Sequence, residues 1–243
     1  MKISVLTPSF NSGKYIERAI KSVLIQGYEN FEHIVSDGGS KDNTVSILDK
    51  YSHIKYISEK DHGQSDAMNK AFRISSGEII VYLNADDEFA PGAFKKVLKA
   101  FEENPESDMI VGDLLFQDIE SSVVRVPSPR YKDILQYWQN LFPNNPVSYF
   151  YRRKVQDEVG EFPVDDHYAM DIWFLLKVYR KFRVIKIDGI LGTFHSDGNN
   201  KTAVVDTGVN LHRTIKMHLK NENPLLLPFF YMKFLLARSR KTE

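Results

Sequence analysis

The chain has 243 residues, 42% of them hydrophobic and 26% charged, the composition of a globular protein with a sizeable buried core. Its 32 basic residues balance 32 acidic ones, so no whole-molecule field recruits nucleic acid. The absence of cysteine excludes disulfides, thiolate metal sites and a cysteine nucleophile, and the short apolar start interrupted by Pro8 does not read as a signal peptide, so a cytoplasmic protein is expected.

Residues 3–6 read as a buried strand that leaves through Thr7-Pro8-Ser9-Phe10-Asn11. A helix is predicted over 12–26, with Ile16, Ala19, Ile20, Val23 and Leu24 on one face and Gly27 as its stop. A second strand, 33–36, runs into Asp37-Gly38-Gly39-Ser40-Lys41-Asp42-Asn43-Thr44, a turn that opens a helix through Leu48. A third strand covers 54–58, a polar loop 59–64, and a helix 65–74 that carries Asp66 and Asn69 near its start. The apolar run Ile79-Ile80-Val81-Tyr82-Leu83 suits a strand buried on both faces, and it ends in Asn84-Ala85-Asp86-Asp87. A helix over 91–104 and a strand over 109–116 continue the alternation, which implies an α/β fold: a mainly parallel sheet flanked by helices.

Parallel topology puts Thr7-Pro8, Asp37-Gly38-Gly39 and the acidic loop at the carboxyl ends of three strands, on the edge where open α/β sheets bind ligands. Taken singly, each has a bland reading as a tight turn or a helix cap. Together they outline a cleft suited to a nucleotide and a metal ion. Asp86 and Asp87 repel each other, and a hard divalent cation held by one or two carboxylates and substrate phosphates relieves that repulsion. The glycine fingerprints of dinucleotide and Walker-type sites are missing.

The second half is less regular. An antiparallel strand is predicted over 123–126, a helix over 132–141, a rigid loop Phe142-Pro143-Asn144-Asn145-Pro146, a strand over 147–151 and a helix over 154–159. A helix over 168–181 turns Ile172, Leu175, Leu176 and Tyr179 to the core, with Asp171 in its first turn. Alone, Asp171 reads as a carboxylate favoured there by the helix dipole. Strands over 184–187 and 190–194 lead into His195-Ser196-Asp197-Gly198-Asn199-Asn200-Lys201-Thr202, a loop dense in metal and phosphate ligands. After a helix over 204–220, the apolar stretch 224–236 is too short, and too broken by Pro228 and Lys233, to span a bilayer. It reads either as a terminal helix packed on the domain or, with Arg238, Arg240 and Lys241, as an interfacial segment on anionic headgroups.

In order and spacing these landmarks resemble the inverting glycosyltransferases of family 2, which have the A-type nucleotide-sugar fold. The match runs from Ile3 to about Thr202. It includes Val35 to Thr44, Asp61-His62-Gly63-Gln64-Ser65-Asp66-Ala67-Met68-Asn69-Lys70, Ser76-Gly77-Glu78, Leu83 to Asp87, Phe150-Tyr151-Arg152-Arg153, Val159-Gly160-Glu161-Phe162 and Ala169-Met170-Asp171. The resemblance implies one domain over 1–202, with a nucleotide-sugar-binding half (1–116), a mixed acceptor-side half (117–202) and a helical tail (203–243). It implies that Thr7 and Pro8 line the nucleotide site, that Asp37 accepts a hydrogen bond from the base, and that Asp66 and Asn69 face the donor. The family's Asp-x-Asp motif falls on Asn84-Ala85-Asp86, so Asp86 is the expected ligand of Mn or Mg, Asn84 a neutral replacement for the first acid, and Asp87 a donor-sugar or supporting contact.

Asp171 matches the catalytic base, which takes the acceptor hydroxyl's proton. His195, Asp197 and Lys201 stand where the family closes a loop on the diphosphate, although its usual Arg-x-His is here His195-Ser196-Asp197. The implied partners are a nucleotide-diphosphate sugar, with a UDP-sugar favoured, and a glycan or lipid-linked acceptor of surface polysaccharide or glycolipid synthesis, at the inner face of a membrane touched through 224–241. Tyr137, Trp138, Phe142 and Trp173 are acceptor-stacking candidates or simply core. Two other functions stay in view. A sugar nucleotidyltransferase would need a glycine-and-basic loop that the segment from Thr7 to Asn11 does not have. A non-catalytic nucleotide-sugar-binding module would explain Asn84 and Asp197 but not the retention of Asp37, Asp86, Asp87 and Asp171.

Overall fold

The computed structural model describes residues 1–143, 145–165, 170–196 and 207–239. Strand β1 (Ile3–Ser9) is buried along its whole length because it is central to a sheet with helices on both faces. It pairs in parallel with β2 (Phe31–Asp37) on one side and β4 (Ile79–Tyr82) on the other, and β3 (Ile54–Ser58) extends the sheet beyond β2. The remaining strands are β5 (Glu88–Phe89), β6 (Met109–Gln117), β7 (Ser122–Arg125), β8 (Tyr149–Arg152) and β9 (Val184–His195). Among the described residues the sheet order is β3-β2-β1-β4-β8-β6-β9-β5, with β7 antiparallel on β6.

As expected, β1 to β4 are parallel and the second half of the chain makes the sheet mixed. Strand β8 inserts antiparallel between β4 and β6, and the two-residue β5 lies antiparallel on β9. The sheet is therefore mixed. The two strands expected over 184–187 and 190–194 are one: β9 follows β6 in parallel, shifting register near Gly189, whose φ of +105° only glycine adopts cheaply. The helix expected over 132–141 breaks after α5 (Tyr131–Ile134) into a short 3-10 turn, Tyr137–Gln139, and Asn140 at φ +54° ends it.

Helices α1 (Ile16–Leu24) and α4 (Ala93–Glu103) cover one face, burying Ala19, Val23, Phe94, Val97 and Phe101 against Ile3, Val5, Ile79 and Val81. On the other face lie α3 (Gln64–Ile74), α6 (Arg153–Val159) and α7 (Met170–Lys181), packed on Leu6, Ile80, Tyr82, Tyr149 and Tyr151. The short α2 (Thr44–Leu48) lies beside α1. Helix α8 (Thr207–Glu222) packs on α7, and α9 (Leu227–Ser239) folds back on α8. Two polar links join elements remote in sequence. Asn69 in α3 donates from Nδ2 to the Phe162 carbonyl (2.9 Å) and accepts from the Phe162 amide (2.9 Å), clasping the second half of the chain to the first.

The second link is Glu32 in β2, nearly buried at the amino end of the sheet. Its carboxylate accepts from Ser4 Oγ (2.7 Å) and the Ser76 amide (2.6 Å) and pairs with Lys2 (3.1 Å). Burial alone would raise its pKa, but the hydrogen bonds from Ser4, Ser76 and Lys2 outweigh that and hold it at about 2 instead of 4.5. A folded value below the unfolded one means stabilisation that is present above pH 4.5 and lost as pH falls toward 2. Glu32→Gln is expected to destabilise the protein by about 2 kcal/mol at neutral pH. Urea titrations of variant and parent should draw together below pH 4.5 and converge only as pH nears about 2; a gap undiminished at low pH would show that the carboxylate charge does not act this way.

Candidate functional site

The three sequence-predicted loops do meet on one edge. Ser9 stands opposite Asp37 and Asp37 opposite Ser58 in the parallel registers, and the Leu83 amide bonds to the Leu6 carbonyl (2.9 Å), carrying β4 out beside β1. The loop leaving β1 is stitched to the loop leaving β2. The Gly38 amide donates to the Ser9 carbonyl (2.8 Å), the Asn11 amide to Ser40 Oγ (2.7 Å), and the Lys41 amide to Asn11 Oδ1 (2.9 Å). The Ser12 and Gly13 amides bond to Thr44 Oγ1 (2.9 Å) and Asp42 Oδ2 (2.9 Å). Phe10, 62% exposed, projects a bare ring from this platform.

Asp37 is buried at the centre of the platform. Its carboxylate accepts from the Ser40 amide (2.9 Å), the Gly39 amide (3.2 Å), Ser58 Oγ (2.7 Å) and Ser40 Oγ. Thr7 and Pro8 are buried too, and the Thr7 hydroxyl is paired with His33 Nε2 (3.0 Å). Burial, and secondarily His53, drives the His33 pKa down to about 3, so that ring is neutral beneath the loop. Asp61, which opens the 61–70 landmark without an assigned role, lies against Gly38: a Cβ there would come within 2.6 Å of Asp61 Oδ2. Asp66 accepts from the His62 amide (3.1 Å) and pairs with Lys70 (3.5 Å), which places it under the 59–62 loop. Asn69, expected to face the donor, spends its amide on Phe162 instead and is buried.

The acidic loop divides its labour. Asp87 is fully buried and accepts from Asn145 Nδ2 (2.7 Å), Asn84 Nδ2 (3.0 Å) and the His195 amide (3.3 Å). Burial, and next the Asp86 charge, pushes its pKa up to about 7 against those donors. Asp86 stays partly exposed, and Arg18 from α1 donates to its backbone carbonyl, setting a cation beside the acid pair. Asn84 is explained by the same network. Its Nδ2 serves Asp87 while its Oδ1 accepts from Gln64 Nε2 (3.1 Å); an aspartate there would lose the donor and add a third negative charge. Asn145, unmarked in a loop of prolines and asparagines, is the second amide donor and also fixes the Val147 amide (2.9 Å).

His195 closes the same edge from β9, its Nε2 2.9 Å from Glu88 Oε1. Asp197 and Lys201 lie outside the described residues. Asp171 arrives from the second half in the first turn of α7, with Oδ1 accepting from the Ile172 amide (2.8 Å). It faces Tyr149, whose phenol is pushed well above its ordinary pKa by burial and then by the Asp171 charge. Tyr149 opens β8, and the antiparallel register (Ile80 opposite Tyr151) brings it level with the exit of β4. Asp171 thus stands at the edge that carries Asn84 to Asp87. Of the aromatic candidates, Phe142 is buried and Tyr137, Trp138 and Trp173 are half-buried against the core.

Among the described residues no three His, Cys, Asp or Glu side chains gather closely enough to cage a metal. Asp86 is a single partly exposed carboxylate beside a buried one. Such a donor set suits a cation that takes its other ligands from phosphate oxygens and water.

The sequence matches Glycosyl transferase family 2 over residues 4–170. An uncharacterized glycosyltransferase of Nostoc sp. is 30% identical over 177 residues, covering 68% of this chain and 54% of that protein. The putative teichuronic acid biosynthesis glycosyltransferase TuaG of Bacillus subtilis is 35% identical over 103 residues, 40% of each. The chain thus spans about half the length of the Nostoc relative. Staphylococcus aureus TarS 1–349 in complex with UDP-GlcNAc superposes with a TM-score of 0.72 at 21% identity, covering 96% of this chain and 72% of that one. The mannosyltransferase PcManGT from Pyrobaculum calidifontis in complex with GDP-Man and Mn2+ gives 0.65 at 18%, covering 98% and 75%. These two share the fold. With the match running from β1 to the start of α7, the chain belongs to glycosyl transferase family 2.

Proposed function

We propose that this chain moves a sugar, with inversion, from a nucleotide-diphosphate donor to a hydroxyl of a glycan or lipid-linked acceptor. The observation that carries the reading is that Asp171, from the 117–202 half, acts on Tyr149, which the β8 register sets level with the end of β4 leading into the Asn84 to Asp87 loop. The 1–116 half would hold the donor: Phe10 offers a stacking face to the base, and the Asp37 turn fixes the wall beside it. A UDP-sugar is favoured, since the TarS structure that shares the fold was solved with UDP-GlcNAc. The name of the Bacillus subtilis relative supports a surface polysaccharide as the product.

A sugar hydroxyl is a weak nucleophile until a carboxylate within hydrogen-bond reach takes its proton. Asp171 is the group placed to do so. Attack from the face opposite the nucleotide forms the new glycosidic bond as the bond to the diphosphate breaks, which inverts the anomeric carbon in one displacement. A divalent ion, Mn or Mg, would be held by Asp86 with Asn84 beside it, and when bound it neutralises charge on the leaving diphosphate. Arg18 orders the backbone of that loop, and Asp87 holds it in place from below. His195, at the end of β9, would stand beside the diphosphate.

Asp171→Asn should lower kcat by about 10³-fold while donor affinity measured by calorimetry stays within about twofold. Equal loss of both would mean that the base has been misassigned. Calorimetry against nucleoside diphosphates should show tightening on addition of manganese, and Asp86→Ala should abolish that tightening. Manganese-dependent binding of triphosphates alone would instead favour a nucleotidyltransferase.

A further inference from the structure

Helix α9 carries large apolar residues on opposite faces, yet only one face is covered. Its inner face seats Phe230 and Phe234 against His212 of α8 (ring centroids 5.2 and 4.5 Å) and against Trp138 (5.9 Å each). The outer face is formed by Pro228, Met232 (52% exposed), Leu235 (64%) and Leu236 (52%), continued by Leu225 (88%) in the turn just before the helix. From residue 228 on, these positions recur every three or four residues and so form one stripe along the helix. A helix with large apolar residues on opposite faces is normally buried on both, and a contiguous exposed apolar stripe marks an interaction surface.

The charges around the stripe have one sign. From residue 223 to 242 the sequence contains no Asp or Glu, whereas it contains Lys233, Arg238, Arg240 and Lys241. Lys233 and Arg238 lie over the rings of Phe229 and Phe234, so cation and apolar surface occupy the same helix. We propose that the outer face of α9 docks on an anionic membrane surface, with the helix lying in the headgroup plane. A second copy of the chain is the poorer occupant, because a two-fold contact through this face would set two purely cationic segments against each other. A spanning role is excluded by length: 13 residues cover about 20 Å, short of the hydrocarbon core.

The docking face is also oriented relative to the site. Arg180 and Glu222 pair where α7 and α8 end, and Phe234 meets His212 further back along α8. Helix α9 therefore runs back toward the end of α7 that carries Asp171. Docking would set the acceptor side of the edge near the lipid surface, a consequence that rests on the proposed function, whereas docking itself does not.

The test is co-sedimentation of the full chain with vesicles of phosphatidylcholine alone or with 30% phosphatidylglycerol, at low and high salt. Binding is expected to the anionic vesicles, weakening with salt. Leu235→Glu/Leu236→Glu should abolish it, and Lys233→Gln/Arg238→Gln should weaken it about tenfold. All four positions lie outside the proposed site, so thermal midpoint and UDP binding should hold and would separate lost docking from lost folding or a failed functional reading. Three results would overturn the proposal. They are no binding to anionic vesicles, equal binding by the Leu235→Glu/Leu236→Glu variant, or a dimer in sedimentation velocity that this variant dissolves while the parent ignores vesicles.

Discussion

A carboxylate with no access to water holds the working edge of this protein together. Burying an ionisable acid is costly unless hydrogen bonds compensate it, and Asp87 is compensated by donors from three separate places: Asn84 at the end of β4, Asn145 in the turn before β8, and the backbone of β9 at His195. These three segments are what the acidic loop must be positioned against. The neighbouring Asp86 stays partly exposed. The pairing also accounts for the amide at position 84, which reads as a departure when the motif is viewed as a list of ligands and as a necessity once its N–H is seen to serve Asp87.

Beneath this edge lies a layer of buried phenols. Tyr82 and Tyr151 both donate to Gln156 Oε1 (3.3 and 2.6 Å), and Tyr149 stacks beside Tyr151. Burial pushes the pKa values of all three phenols up, so they remain neutral hydrogen-bonding groups across the ordinary pH range. They belong to β4 and β8, the pair through which the second half enters the sheet. Helix α7, which carries Asp171, is thereby tied to these strands by packed aromatic side chains, Phe174 lying against Tyr151.

How much of this could be read from residues alone follows from the range of the forces involved. The runs in β1 and β4 are apolar on both faces, which only a central strand tolerates, and parallel alternation then dictates that Thr7, Asp37 and Asp86 share an edge. The insertion of β8 between β4 and β6 depends on pairing with segments 71 residues away (Ile80 with Tyr151) and 40 residues away (Ile110 with Phe150), and no local pattern in Tyr149–Arg152 announces its direction. Side-chain allegiance was hidden for the same reason. Thr7 turns to His33 and Asn69 to Phe162, partners that only the folded chain brings within reach, so their polar groups face inward where the resemblance had them facing a donor. Asn145 and Arg18 carry no motif at all, and their roles exist only through the acids they meet.

The cross-linking of the first two loops has a dynamic consequence. Asn11, Ser12, Gly13 and Lys41 each give their amide to a side chain of the opposite loop, so neither loop can detach without breaking several bonds of the other. Opening either segment therefore costs the other its partners, which couples the two. A ligand arriving at this wall meets a surface whose conformational freedom was already lost during folding, so ordering it subtracts little from affinity.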